Sequence, residues 1–194
     1  MLKLVGAKKI NIAVFISGNG SNFKNLILDS LKKKSEYEIK LVISNNATAK
    51  GLKYARKFKI KKKIINYQHK KNAEKIILIE LKKNKIDLIC LAGFMKILSK
   101  SFIKKFKGKI MNIHPSLLPK YKGLNTHQRT INNKEKYSGC TVHYVNSKLD
   151  SGKIILQKKV KILKTDTSSS LAKKILKQEH ILYPKALKKV LTSL

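Results

Sequence analysis

The chain has 194 residues, with 45 Lys and Arg against 10 Asp and Glu, for a formal net charge of +35. A chain of this length buries a core without covalent staples, and its two cysteines, Cys90 and Cys140, are too few for a disulfide framework, so a disulfide-built secreted class is not expected. No apolar run approaches a bilayer span and none near the start has the shape of a cleavable signal, which predicts a reduced, cytoplasmic setting and no membrane partner.

In chain order, the apolar residues 12–17 predict a strand and residues 21–33 a helix, followed by a strand over 39–44 and a helix over 49–58. A short strand over 63–66 and a helix over 71–84 come next. Residues 87–92 form a continuous apolar run that includes Cys90, as in a central parallel strand. Alternation of this kind predicts an α/β fold: a doubly wound, Rossmann-like, mostly parallel sheet in the N-terminal half. Near residue 100 the pattern changes. In the C-terminal half a short strand over 110–113, antiparallel strands over 140–145 and 153–161, and a final helix to about residue 191 extend the sheet. Thr167 with Ser168–Ser170 supplies the cap of that helix, and Pro184 is expected to kink or interrupt it. No repeat or linker divides the chain. Residues 1–194 therefore read as one domain, with a phosphate-binding half (about 1–100) and a catalytic half (about 101–194).

The charge suggests nucleic acid at first sight, but Arg56 and Arg129 are the only arginines, leaving 45 − 2 = 43 lysines spread along the chain. Guanine readout and bidentate phosphate contacts favour Arg, so the lysines read as a solvated surface that steers anionic substrates inward, with no specific nucleic-acid partner.

Four segments carry chemistry. Ser17-Gly18-Asn19-Gly20-Ser21-Asn22 lies between a strand and a helix, where glycines permit a tight turn and the helix start offers N–H donors to a phosphate. Glycine spacing alone does not separate that role from an ordinary strand-to-helix turn capped by Ser21. The dinucleotide and Walker patterns are both absent, which disfavours NAD and ATP. Asn112-Ile113-His114-Pro115-Ser116-Leu117-Leu118-Pro119 lies at the carboxyl end of an expected parallel strand, where open α/β sheets bind ligands. Asn112 and His114, two apart, share a face, and an amide donor beside an imidazole suits acyl transfer. Leu149-Asp150-Ser151-Gly152 reads as a turn whose carboxylate, if it neared an imidazole, would raise the imidazole pKa and favour its charged form. Ala92-Gly93-Phe94-Met95-Lys96-Ile97-Leu98-Ser99 is an apolar loop suited to core packing or to walling a pocket for a flat heterocycle. The five histidines lack the short spacings of a metal site, so no metal is expected.

Together with Gln178-Glu179-His180, these strings resemble the phosphoribosylglycinamide formyltransferases from about Asn11 onward. The resemblance implies a cytoplasmic transferase of purine biosynthesis and one-carbon metabolism, with 10-formyltetrahydrofolate as co-substrate and glycinamide ribonucleotide as acceptor. It implies a catalytic trio of Asn112, His114 and Asp150. Gly20, Ser21, Asn22 and Glu179 would bind the ribonucleotide, and Lys70, Met95, Lys96, Ile97, Leu98 and Asn112 the folate. Lys96, where relatives usually carry Arg, and Ser151, where a Gly is common, depart from the family pattern at the folate pocket. Methionyl-tRNA formyltransferase shares the Asn-x-His-Pro core but carries a further RNA-binding domain, for which this chain has no residues left. A lysine-rich nucleic-acid binder leaves the trio unexplained. A monomer or weak dimer is expected.

Overall fold

The computed structural model describes residues 9–192. Along the chain it contains β1 (Ile10–Ile16), α1 (Ser21–Ser30), β2 (Tyr37–Ser44), α2 (Leu52–Lys57), β3 (Lys61–Ile64), α3 (Lys70–Lys83) and β4 (Leu88–Leu91). Then follow α4 (Lys100–Lys105), β5 (Lys109–His114), α5 (Thr126–Asn132), β6 (Tyr137–Tyr144), β7 (Ile154–Lys161) and α6 (Ser168–Leu191). The strands form a seven-stranded sheet in the order β3-β2-β1-β4-β5-β6-β7.

Strands β1 to β5 pair in parallel, and β6 and β7 add antiparallel. The change of pairing thus comes after His114, later than the change of sequence character near residue 100. The period of two along β1 divides the core between the two faces of the sheet. Ile12, Val14 and Ile16 pack with Phe23, Leu26 and Ile27 of α1 and with Leu171, Ile175 and Tyr183 of α6. Ala13 and Phe15 face Ala73, Ile77 and Leu81 of α3 and Phe102 of α4. The chain winds outward from β1 in both directions, so the crevice between the carboxyl ends of β1 and β4 is the topological switch point where open α/β sheets bind ligands.

Two short helices, α4 and α5, had no clear signal in the sequence. Helix α4 buries only Phe102 and is started by Ser99, whose Oγ accepts from the Phe102 N–H. Helix α6 runs through Pro184 without the interruption expected there. A proline frees the carbonyl four residues back, and Asn25 Nδ2 of α1 donates to that His180 carbonyl, so the lost bond is replaced from a neighbouring helix.

Candidate active site

The loop after β1 is shaped by glycine contact. Gly20 has φ +67°, and a Cβ there would lie 2.7 Å from Gly51 Cα, so the turn closes only on a second glycine. The Gly51 N–H also donates to Gly18 O at 2.9 Å. Ser17 ties this loop to the one after β4. Its Oγ accepts the Met95 N–H at 2.7 Å, and its own N–H donates to Gly93 O at 3.0 Å. The helical ladder of α1 begins with Lys24 N–H to Gly20 O, which leaves the N–H groups of Ser21, Asn22 and Phe23 ahead of it. The cap of α1 is Gly20, not Ser21, and it makes no side-chain cap bond.

Beside this loop lies a cavity of about 910 Å³. Of the residues expected at the site, Asn22, Met95, Lys96, Ile97, Leu98, Asn112, His114, Asp150 and Glu179 line it. Gly20 and Ser21 stand at the head of α1 outside the lining. Lys70 is exposed as the first residue of α3 and also lies outside it. The apolar side chains of Met95, Ile97 and Leu124 at the cavity are 61%, 59% and 72% exposed, an accessible surface for an apolar ring.

At one end of the cavity Asn22 Nδ2 donates to Glu179 Oε2 at 2.7 Å, joining α1 to α6. Both residues are buried, and Asn22 Oδ1 has no hydrogen-bond partner. Burial holds the Glu179 pKa above its ordinary value, against the lowering effect of the Asn22 bond. The Asn22 amide nitrogen is thus engaged by Glu179, so an anion at the loop would be met by backbone N–H groups.

Asn112, His114 and Asp150 converge on the cavity wall. His114 Nδ1 lies 3.4 Å from Asp150 Oδ2, and His114 Nε2 lies 2.9 Å from Tyr121 O. A carbonyl only accepts, so Nε2 carries the proton and Nδ1 is left bare toward the carboxylate. Asp150 adopts φ 44°, and its Oδ2 accepts the Gly123 N–H at 2.9 Å. Burial favours its protonated form, but the neighbouring His143, the hydrogen bond from the Gly123 N–H and the His114 imidazole outweigh this and lower its pKa. His114 departs from expectation. Its pKa is lowered, chiefly by burial, with His143 and Arg129 acting the same way. The Tyr121 carbonyl and the Asp150 charge pull it upward without prevailing. Asp150 therefore does not keep His114 charged in the free cleft.

One residue of this cluster was not singled out in the sequence. His143 on β6 stands directly opposite Asn112 on β5. Its Nδ1 lies 2.8 Å from Tyr144 O, which places the proton on Nδ1 and leaves Nε2, 3.2 Å from Asn112 Nδ2, to accept from the amide. His143 thereby fixes which way the Asn112 amide points and leaves its second N–H for the cavity. Nε2 also lies 3.6 Å from Asp150 Oδ1. The Pro115–Pro119 loop is held by more than its prolines: Thr141 Oγ1 donates to Ser116 O and accepts the Leu118 N–H. Among the described residues no group of three His, Cys, Asp or Glu side chains is placed to hold a metal ion.

An amide donor, an imidazole and a carboxylate on one wall of an apolar cleft are groups suited to acyl transfer. Residues 10–187 match the model of the formyl transferase family. The chain belongs to that family.

Among formyl transferase relatives, the human trifunctional purine biosynthetic protein adenosine-3 is 42% identical over 186 residues, covering 94% of this chain and 18% of that protein. The chain thus spans less than a fifth of the length of that trifunctional relative. The phosphoribosylglycinamide formyltransferase of Escherichia coli K12 is 38% identical over 178 residues, 90% of this chain and 84% of that protein. The crystal structure of phosphoribosylglycinamide formyltransferase from Brucella melitensis superposes with a TM-score of 0.89 at 43% identity, covering 94% of this chain and 96% of that one. The Rossmann-like fold and the transferase class follow from these matches.

Proposed function

We propose that this chain transfers a formyl group from 10-formyltetrahydrofolate to the amine of glycinamide ribonucleotide in purine biosynthesis. It acts as one formyltransferase unit, in the cytoplasm, as a monomer or weak dimer, and without a specific nucleic-acid or membrane partner. The observation that carries the reading is a single cavity with Asn112, His114 and Asp150 on its wall, the Asn22–Glu179 pair at one end and the Met95–Leu98 loop along another side. The cavity is large enough for two substrates, and its exposed apolar loop suits a flat heterocycle while the head of α1 suits a phosphate. The names of the E. coli and Brucella relatives support the choice of acceptor.

In this reading the acceptor amine attacks the formyl carbon, and the C–N bond forms as negative charge develops on the formyl oxygen. The free N–H of Asn112, aimed by His143, stabilises that charge. His114, bare at Nδ1, takes the proton released by the amine, and Asp150 beside it stabilises the resulting imidazolium. The same proton passes to the folate nitrogen as its bond to the formyl carbon breaks. The expected outcome is a fall in kcat of at least about a hundredfold in His114→Ala and in Asp150→Ala, with both substrates still bound. Near-normal turnover in either folded variant removes that residue from the mechanism.

A further inference from the structure

Behind the catalytic pair, the loop of residues 120–125 offers one backbone group to each partner. The Tyr121 carbonyl accepts from His114 Nε2 at 2.9 Å, and the Gly123 N–H donates to Asp150 Oδ2 at 2.9 Å. The loop is not self-supporting. Tyr121 and Asn125 both have φ 56°, a left-handed conformation that non-glycine residues keep only when their surroundings hold them.

The contacts that hold it alternate along the chain. Residues 121 and 123 turn backbone groups toward the catalytic pair, whereas the carbonyls of Lys122 and Leu124 turn toward α5. There Arg129 Nη1 donates to Lys122 O at 2.7 Å and approaches Leu124 O at 3.4 Å, with its guanidinium 5.3 Å from the centre of the Tyr121 ring. Tyr121 is also gripped at its hydroxyl, which donates to Glu135 Oε1 at 2.9 Å and accepts from Asn133 Nδ2 at 3.0 Å.

Composition adds an independent sign. Arg129 is one of only two arginines in a chain with 43 lysines (45 − 2), so cationic positions here are lysine almost without exception. A guanidinium differs from an ammonium in being a planar fork that can donate in its plane with a ring beside it, and here Nη1 donates to the loop while the Tyr121 ring centre lies 5.3 Å away.

We infer that Arg129 is a positioning residue of the active site: it clamps the 120–125 loop so that the Tyr121 carbonyl sets the His114 tautomer and the Gly123 N–H aims the Asp150 carboxylate. The catalytic part of this inference rests on the function proposed above. The charged and titratable groups around His114 are Asp150, His143 on β6, and His127 and Arg129 on α5. Arg129→Lys keeps the charge at that position and removes only the fork, so its effects report geometry.

The test uses the full chain. Arg129→Lys is expected to lose about tenfold in kcat while its KM for glycinamide ribonucleotide and its melting temperature stay close to wild type. Followed by NMR at its ring nitrogens, His114 should titrate at lower pH than in wild type, because the carbonyl that supports its charged form is no longer held. Added guanidinium should restore part of the turnover of Arg129→Ala, and added methylammonium should not. A His114 titration unchanged in Arg129→Lys overturns the inference, since Arg129 then does not act through Tyr121. A shifted titration with full turnover overturns it equally. Should the wild-type chain fail to form product, the proposed function falls, while the titration still decides whether the clamp exists.

Discussion

Glu179 is 7% exposed, and its carboxyl accepts from the amide of Asn22. Burial raises its pKa, so the folded state holds this proton more tightly than the unfolded chain does. A carboxyl with a raised folded pKa costs nothing below its ordinary value of 4.5, where both states are protonated. The cost grows as pH rises through 4.5 and is complete above the folded pKa. Glu179→Gln, which keeps an acceptor for Asn22, is therefore expected to raise Tm at neutral pH by roughly 2–4 °C. The gain should vanish below pH 4.5, and kcat/KM for glycinamide ribonucleotide should fall. Thermal melts of the two proteins across pH check the sign, and a lower Tm for the variant at neutral pH would contradict it. At this scale the sequence was informative about residues that announce themselves within a motif: Asn112 and His114 share a strand face, and Asp150 sits in its turn. His143 could not be read in the same way, because its meaning depends on lying opposite Asn112 in the β5–β6 register, which no local pattern states. The lowered pKa of His114 was likewise out of reach, because neither the approach of Asp150 nor the depth of burial that outweighs it is a local pattern. Lys70, for which no motif fixed the position, lies away from the cavity lining.

The turn into α1, proposed to hold the substrate phosphate, is built from two glycines of which only one lies in the motif. A Cβ on Gly51 would stand 2.9 Å from Gly20 Cα and 3.2 Å from Gly18 O, both backbone atoms that cannot yield without moving the loop. Gly51→Ala is expected to raise KM for glycinamide ribonucleotide by about tenfold or more through lost charge-assisted hydrogen bonds, with far less effect on a glycinamide riboside lacking the phosphate. Equal effects on the two acceptors would show that the loop does not bind phosphate. Long periodic elements were legible: the strands and the longer helices fall within a few residues of their expected bounds, because burial of one face imposes its period on the sequence. Helices α4 and α5, of 6 and 7 residues, bury too little to leave a period. The continuity of α6 through Pro184 depends on Asn25, more than 150 residues earlier in the chain, and so was beyond local rules.

Across the whole molecule the sheet ends in strands rich in lysine: Lys61, Lys62 and Lys63 on β3, and Lys158, Lys159 and Lys161 on β7. Charged edges resist pairing with further strands, which gives part of the +35 a structural use apart from any nucleic acid. The rest of the lysine surface should draw anionic substrates toward the cavity by long-range attraction that salt weakens. The fold class was legible at this scale because alternating strands and helices leave few ways to wind a sheet. The turn to antiparallel pairing was legible as well, in the alternation of residues 140–145, and it falls where β6 joins the parallel β5. The proposed function is the movement of a formyl group to one small amine. Its most direct test offers the purified chain 10-formyltetrahydrofolate labelled in the formyl group, with glycinamide ribonucleotide and methionyl-tRNA together, and follows the label. The label is expected to accumulate on glycinamide ribonucleotide, with neither formylated tRNA nor free formate appearing at a comparable rate. Label on the tRNA, or its release as formate while acceptor is present, would contradict it.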